Sequence, residues 1–211
     1  MLRCVLATML ALSLACLGAA QDFYHRPSPI AGSLMLSLAT FPEVQKELKL
    51  TPDDSKKIDD ALETVGQDVQ AAFQDANGDF GKMQIDITKI NLKHDADYLK
   101  TLTPDQAARL KQLYVQFSGA LVITRDDFAS DLAVTDDQKA KVKQLQADEG
   151  KKIADLFQSG GGDPSSMGPA MKKLQDEFKV QLAGVLTDDQ KKKLEDMKGA
   201  KFEFQKVDAG G

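Results

Sequence analysis

The 211 residues carry 27 Lys and Arg against 32 Asp and Glu, a net charge of −5, with 42% hydrophobic residues, 6% aromatics and no Trp. This is a globular balance with an aliphatic core. Its acidity argues against nucleic acid or an anionic membrane surface as a partner.

Met1 to Ala20 reads as a secretory signal peptide. Arg3 supplies the positive start, Val5 to Leu17 a short apolar run, and Gly18-Ala19-Ala20 a small-residue cleavage site. The run is too short to span a bilayer, and no later stretch is long and apolar enough. The mature chain is therefore expected to be exported, secreted or periplasmic, with no membrane span. A competing reading takes Leu14-Ala15-Cys16 as a lipoprotein signal anchored through Cys16, but Ser13 stands where such a signal carries an aliphatic residue. Cleavage after Ala20 is preferred. It removes both cysteines, leaving no thiol or disulfide chemistry. Residues 21–32, with Pro27 and Pro29, read as an extended linker.

Four helix starts organise the rest. In Leu50-Thr51-Pro52-Asp53-Asp54, Leu102-Thr103-Pro104-Asp105-Gln106, Val134-Thr135-Asp136-Asp137-Gln138 and Leu186-Thr187-Asp188-Asp189-Gln190, a Thr stands three places before an Asp or Gln. This is the capping box. The hydroxyls of Thr51, Thr103, Thr135 and Thr187 accept a backbone N–H, while Asp54, Gln106, Gln138 and Gln190 reach back to the Thr amides. These eight residues are structural caps. Pro52 and Pro104 occupy the first helical position, where the missing N–H costs nothing.

The spacing of the starts is 52, 32 and 52 residues, so the chain reads as duplicated with a period of 84. The shift pairs Thr40 with Thr124, Leu48 with Leu132, Val69 with Ile153 and Phe73-Gln74 with Phe157-Gln158. Repeat one is placed at 33–117, repeat two at 118–201, and an extended, frayed tail at 202–211. The expected fold is all-α, a helical bundle of long hairpins built from two internal repeats.

In chain order, Thr40-Phe41-Pro42-Glu43 is read as a further capping box that opens a short helix with Val44 and Leu48 inward. The long helix from Pro52 carries Ile58, Ala61, Leu62, Val65, Val69, Ala72 and Phe73 on one stripe. A turn at Asp75 to Gly78 follows, with Asp79 as a cap for a helix that presents Met83, Ile87, Ile90, His94 and Tyr98 on one face. Repeat two copies the plan: a short helix near Phe128 and Leu132, then a long one from Asp136 to Gln158. A Gly160-Gly161-Gly162 turn leads into a third helix with Met167, Met171, Leu174, Phe178 and Leu182 on one face.

No residue set looks catalytic. His94 falls where repeat two has Phe178, a packing slot for a ring, and lacks metal-binding neighbours on its own face. Asp75 to Asp79 starts like an EF-hand loop, but Phe80 occupies the glycine position and Asp86 the place of the bidentate Glu. Glu149 stands on the stripe where repeat one has Val65, a position that is either less buried or turned to a groove. No phosphate loop, nucleophile elbow or Cys–His pair occurs. No cofactor, no metal and no enzymatic activity are expected.

The signal peptide, the acidic helical body and the Leu-Thr-x-x-Gln starts at Leu102-Thr103-Gln106 and Leu186-Thr187-Gln190 resemble the exported Spy/CpxP-like family of the Gram-negative envelope. Val134-Thr135-Gln138 is a degenerate copy, and Leu50-Thr51-Asp54 lacks the Gln. The resemblance implies ATP-independent binding of partly unfolded polypeptides or an adaptor role in envelope stress. Family members carry two motifs and pair as cradle-shaped dimers, so a four-motif chain would act as a monomeric pseudo-dimer. The alternative is a structural or interaction protein of the envelope with one dedicated protein partner and no chaperone activity.

Overall fold

A computed structural model describes residues 34–77, 80–159 and 164–204. The expected signal peptide, linker, Asp79 cap, glycine turn and last seven tail residues lie outside them. The described residues contain helices and no strand, so the all-α expectation holds. A 3-10 turn, Met35–Thr40, precedes α1 (Pro42–Leu48), α2 (Pro52–Ala76), α3 (Phe80–Leu99) and α4 (Pro104–Ser118). A second 3-10 turn, Gly119–Thr124, precedes α5 (Asp126–Asp131), α6 (Asp136–Ser159), α7 (Pro164–Ala183) and α8 (Asp188–Asp196). The described residues form two compact units, one of 34–110 with Phe204 and one of 111–203, divided within α4.

In the first unit, α2 packs along α3, and both pack on the Met35–Thr40 turn. The apolar stripe of α2 explains why. Ile58, Leu62, Val65, Val69 and Ala72 recur at helical spacing and are all buried. Each large aliphatic side chain contributes about 1.5–3 kcal/mol by leaving water. The turn adds Met35, Leu36 and Leu38, all fully buried. Its N-terminal amides end on a side chain: Met35 and Leu36 donate to the two carboxylate oxygens of Asp95 at 2.9 and 2.8 Å. Asp95 is itself buried, and these charge-assisted bonds replace the water it lost.

Two expectations fail here. Thr40 is not the cap of α1; Phe41 takes that position with no side-chain cap, because Pro42 begins the helix. The Thr40 hydroxyl instead closes the preceding turn by donating to the Ser37 carbonyl at 2.8 Å. Phe73 is not inside. It is 53% exposed, because Val69, Ala72 and Ala76 already hold the inner line of α2 and Phe73 lies one step round the helix.

In the second unit, α6 packs along α7, and both touch the Gly119–Thr124 turn. Leu121, Val122, Ile123, Phe128, Leu132, Val142, Phe178 and Leu182 are buried. Arg125 is buried among them, its guanidinium 5.0 Å from the Tyr114 ring centre and 5.4 Å from that of Phe128. The two rings stack with centres 5.5 Å apart, and Arg125 also pairs with Asp127 at 2.9 Å. A planar cation lying against two stacked rings suits this position better than an ammonium would.

Candidate functional site

The helix starts carry the first set of polar contacts. The Thr51 amide donates to Asp54 Oδ2 at 3.0 Å, and the Asp54 amide donates back to Thr51 Oγ1 at 3.2 Å. Thr103 and Gln106 exchange the same bonds at 3.0 and 3.3 Å, Thr135 and Gln138 at 3.0 and 3.2 Å, and Thr187 and Gln190 at 2.9 and 3.2 Å. The bonds from Thr51, together with Lys57, hold the Asp54 carboxyl down at about 2.

The glutamines do more than cap, which their spacing alone does not show. Gln106 Nε2 donates to the Leu48 carbonyl at 2.9 Å, joining the start of α4 to the end of α1. Gln190 Nε2 reaches the Ala133 carbonyl at 3.2 Å, and Gln138 Nε2 reaches the Val185 carbonyl at 2.7 Å. Gln138 and Gln190 also bond each other in both directions, at 2.7 and 3.0 Å. Each of these two amides thus uses both N–H groups and both lone pairs. Asp54, with no donor, leaves the first unit without such a pair. Two of the three carbonyls reached in this way sit at left-handed turns: Ala133 is itself left-handed (φ 53°), and Leu48 directly precedes left-handed Lys49 (φ 54°). The amides therefore fasten loops as well as helix ends.

Two open surface grooves run along the long helices. One is lined by Asp68, Ala71, Ala72 and Asp75 of α2 with Asp86, Lys89 and Ile90 of α3. The other is lined by Lys152, Asp155 and Leu156 of α6 with Ala170, Lys173, Leu174 and Glu177 of α7. Met83, Ile87 and Ile90 in the first helix pair are only half-buried, as are Ile153, Leu156, Met171 and Leu174 in the second. Along these stretches the partner helix covers the apolar stripe only in part.

His94 is half-buried and bonds Asp68 at 2.7 Å, tying α3 to α2. Its own helix face gives no hint of this partner, because Asp68 comes from the facing helix. The Tyr98 hydroxyl is buried with no hydrogen-bond partner, and burial pushes its pKa up. Glu149 is also inside. It is 7% exposed, Oε1 has no hydrogen-bond partner, and burial pushes the carboxyl up, with Glu177 adding to the rise and Lys152 opposing it. The helix is therefore not less buried at Glu149. Asp95 and Arg125 are further inward charges that the sequence reading missed. The available signal for Asp95 was a charge at helical spacing between two other inward residues, Asn91 and Tyr98.

Among the described residues, no group of three or more His, Cys, Asp or Glu is placed to hold a metal ion. No helix among them is long and apolar enough to cross a membrane. Comparison with known protein families, with curated proteins and with solved structures finds no match for this chain.

Proposed function

We propose that this chain is an exported helical protein that binds partly unfolded polypeptides without ATP, as a chaperone or stress adaptor of the cell envelope. The observation that carries this reading is the half-covered apolar stripe of each long helix pair, Met83, Ile87 and Ile90 in one and Ile153, Leu156, Met171 and Leu174 in the other. Each stripe is flanked by charges of both signs. Such a surface binds extended apolar segments weakly and interchangeably, because Met and Ile adapt to many shapes and the charges keep the surface soluble. Phe73 and Ile85, more than half exposed on α2 and α3, extend it.

Internal duplication is part of the proposal. The 3-10 turns Met35–Thr40 and Gly119–Thr124, the helices Phe80–Leu99 and Pro164–Ala183, and the left-handed residues Lys49 and Ala133 are each offset by 84 positions. On this reading one chain does what a dimer of shorter relatives does, and sedimentation should give a monomer mass.

A second reading, a dedicated envelope partner with no chaperone activity, is favoured by the scarcity of strongly exposed apolar groups. Phe73, Ile85 and Val180 are the large ones among the described residues. Light scattering separates the two. The mature chain, from Gln21 onward, is mixed with a chemically unfolded client without ATP. Suppressed aggregation near one chain per client supports the first reading. Scattering unchanged over a wide range of ratios overturns it, and a pull-down then pursues the dedicated partner.

A further inference from the structure

Glu149 is the central residue of an otherwise apolar or neutral stripe on α6, with Val142, Leu145 and Gln146 before it and Ile153 and Leu156 after it. It is buried, and one carboxylate oxygen has no hydrogen-bond partner. A buried carboxyl with an unmatched oxygen is tolerated when protonated and costly when ionised. Few charges surround it to offset ionisation. Lys152 acts on it from α6 and Glu177 from α7, with opposite effects. The Gly119–Thr124 turn, which also packs on these two helices, contains no titratable side chain.

We propose that Glu149 is a proton-operated latch that holds α6 against α7 when protonated and loosens this helix pair as it ionises. Lys152 and Glu177 both line the groove between the two helices, so the latch sets how far that groove opens. The device is independent of what the groove binds.

The sign follows from linkage. An exposed glutamate ionises near 4.5, and the folded-state value is raised above this by burial. Below the ordinary value both the closed and the open pair are protonated, and closure is complete. Between the two values the open pair gains ionisation that the closed pair resists, so closure weakens as pH rises, by up to about tenfold per pH unit. Above the raised value the loss is constant.

The test is hydrogen–deuterium exchange of the full chain from about pH 4 to about pH 8, corrected for intrinsic exchange, with the α2–α3 pair as internal reference. Protection of amides around Glu149 in α6 and in facing α7 is expected to fall with pH in the wild type and to stay level in Glu149→Gln. Glu149→Val, which gives α6 the residue α2 has at Val65, is the second variant and is expected to be level too. A level wild-type profile, or variants with the wild-type slope, overturns the proposal. A carbon-13 titration of the wild-type Glu149 carboxyl decides it without any variant: a midpoint at or below that of an exposed glutamate overturns the latch.

Discussion

Gln138 and Gln190 hold one another face to face, each amide donating to the other's carbonyl oxygen while its remaining N–H fastens a backbone carbonyl. Removing either partner leaves buried or half-buried groups unmatched. Gln138→Ala and Gln190→Ala should each destabilise the second unit by about 1–3 kcal/mol. The double variant should cost less than the two losses added together, by about 1 kcal/mol. Urea unfolding of the four proteins measures the difference.

The first unit has Asp54 where such a pair would need a second amide, and its cap depends on an ionised carboxylate instead. The Asp54 carboxyl is held at about 2, against 3.8 for a free one, chiefly by its bond from the Thr51 amide and then by the Thr51 hydroxyl and Lys57. A depressed value means that the cap contributes fully above about pH 4 and is lost as pH falls toward about 2. Thermal melts over that range should show a larger drop in wild type than in Asp54→Asn, the remainder coming from other depressed carboxyls such as Asp86 and Asp176. At neutral pH, Thr51→Ala should cost about 1 kcal/mol.

Arg125 tests whether shape or charge matters at the position beside the stacked rings of Tyr114 and Phe128. Its guanidinium lies over both rings and reaches Asp127. Arg125→Ala should destabilise the second unit by about 2–3 kcal/mol, because a fully buried side chain and its contact with two rings are lost. Arg125→Lys should recover only part of this, because a compact ammonium cannot stack on two rings. Chemical denaturation followed by circular dichroism ranks the three.

Ala133 has φ 53°, a left-handed conformation in which its Cβ is crowded. Ala133→Gly should therefore stabilise the second unit by about 1 kcal/mol, while keeping the carbonyl that Gln190 uses. Gly199, at φ 61°, is the reverse case. A Cβ there would come within 2.3 Å of the Gln112 side chain, so Gly199→Ala should destabilise by about 1–2 kcal/mol. Melting temperatures of both variants check the opposite signs.

If client binding uses the uncovered stripes, Phe73→Ser and Ile85→Ser together should weaken aggregation suppression severalfold. Both side chains are already more than half in water, so the melting temperature should barely move. A double variant that suppresses scattering as well as wild type would move the binding surface elsewhere.

What could be read from the chain follows the range of each interaction. A cap is made by residues three apart, so Thr187 and Gln190 announce a helix start without tertiary knowledge. A stripe at helical spacing shows which side of α2 faces inward, and Val65 and Val69 lie there. Phe73 shows the limit of the same signal. A ring one step off the line fits a helical wheel equally well, and only the position of α3 decides its exposure. The bond from His94 to Asp68 and the second bond of each glutamine join residues far apart in sequence. No local pattern encodes them. Glu149 was visible as an anomaly, but its burial required the neighbouring helix.

Asp95 has a consequence for the order of folding. It lies in α3, 60 and 59 residues after the amides of Met35 and Leu36 that it receives. Those amides begin the earliest element described in the chain, yet their partner emerges only after α2 and most of α3 have been made. The Met35–Thr40 turn thus waits, with Met35, Leu36 and Leu38 uncovered, until a carboxylate from downstream arrives and closes a long loop. During vectorial synthesis, its leading apolar segment remains adhesive until α3 follows it.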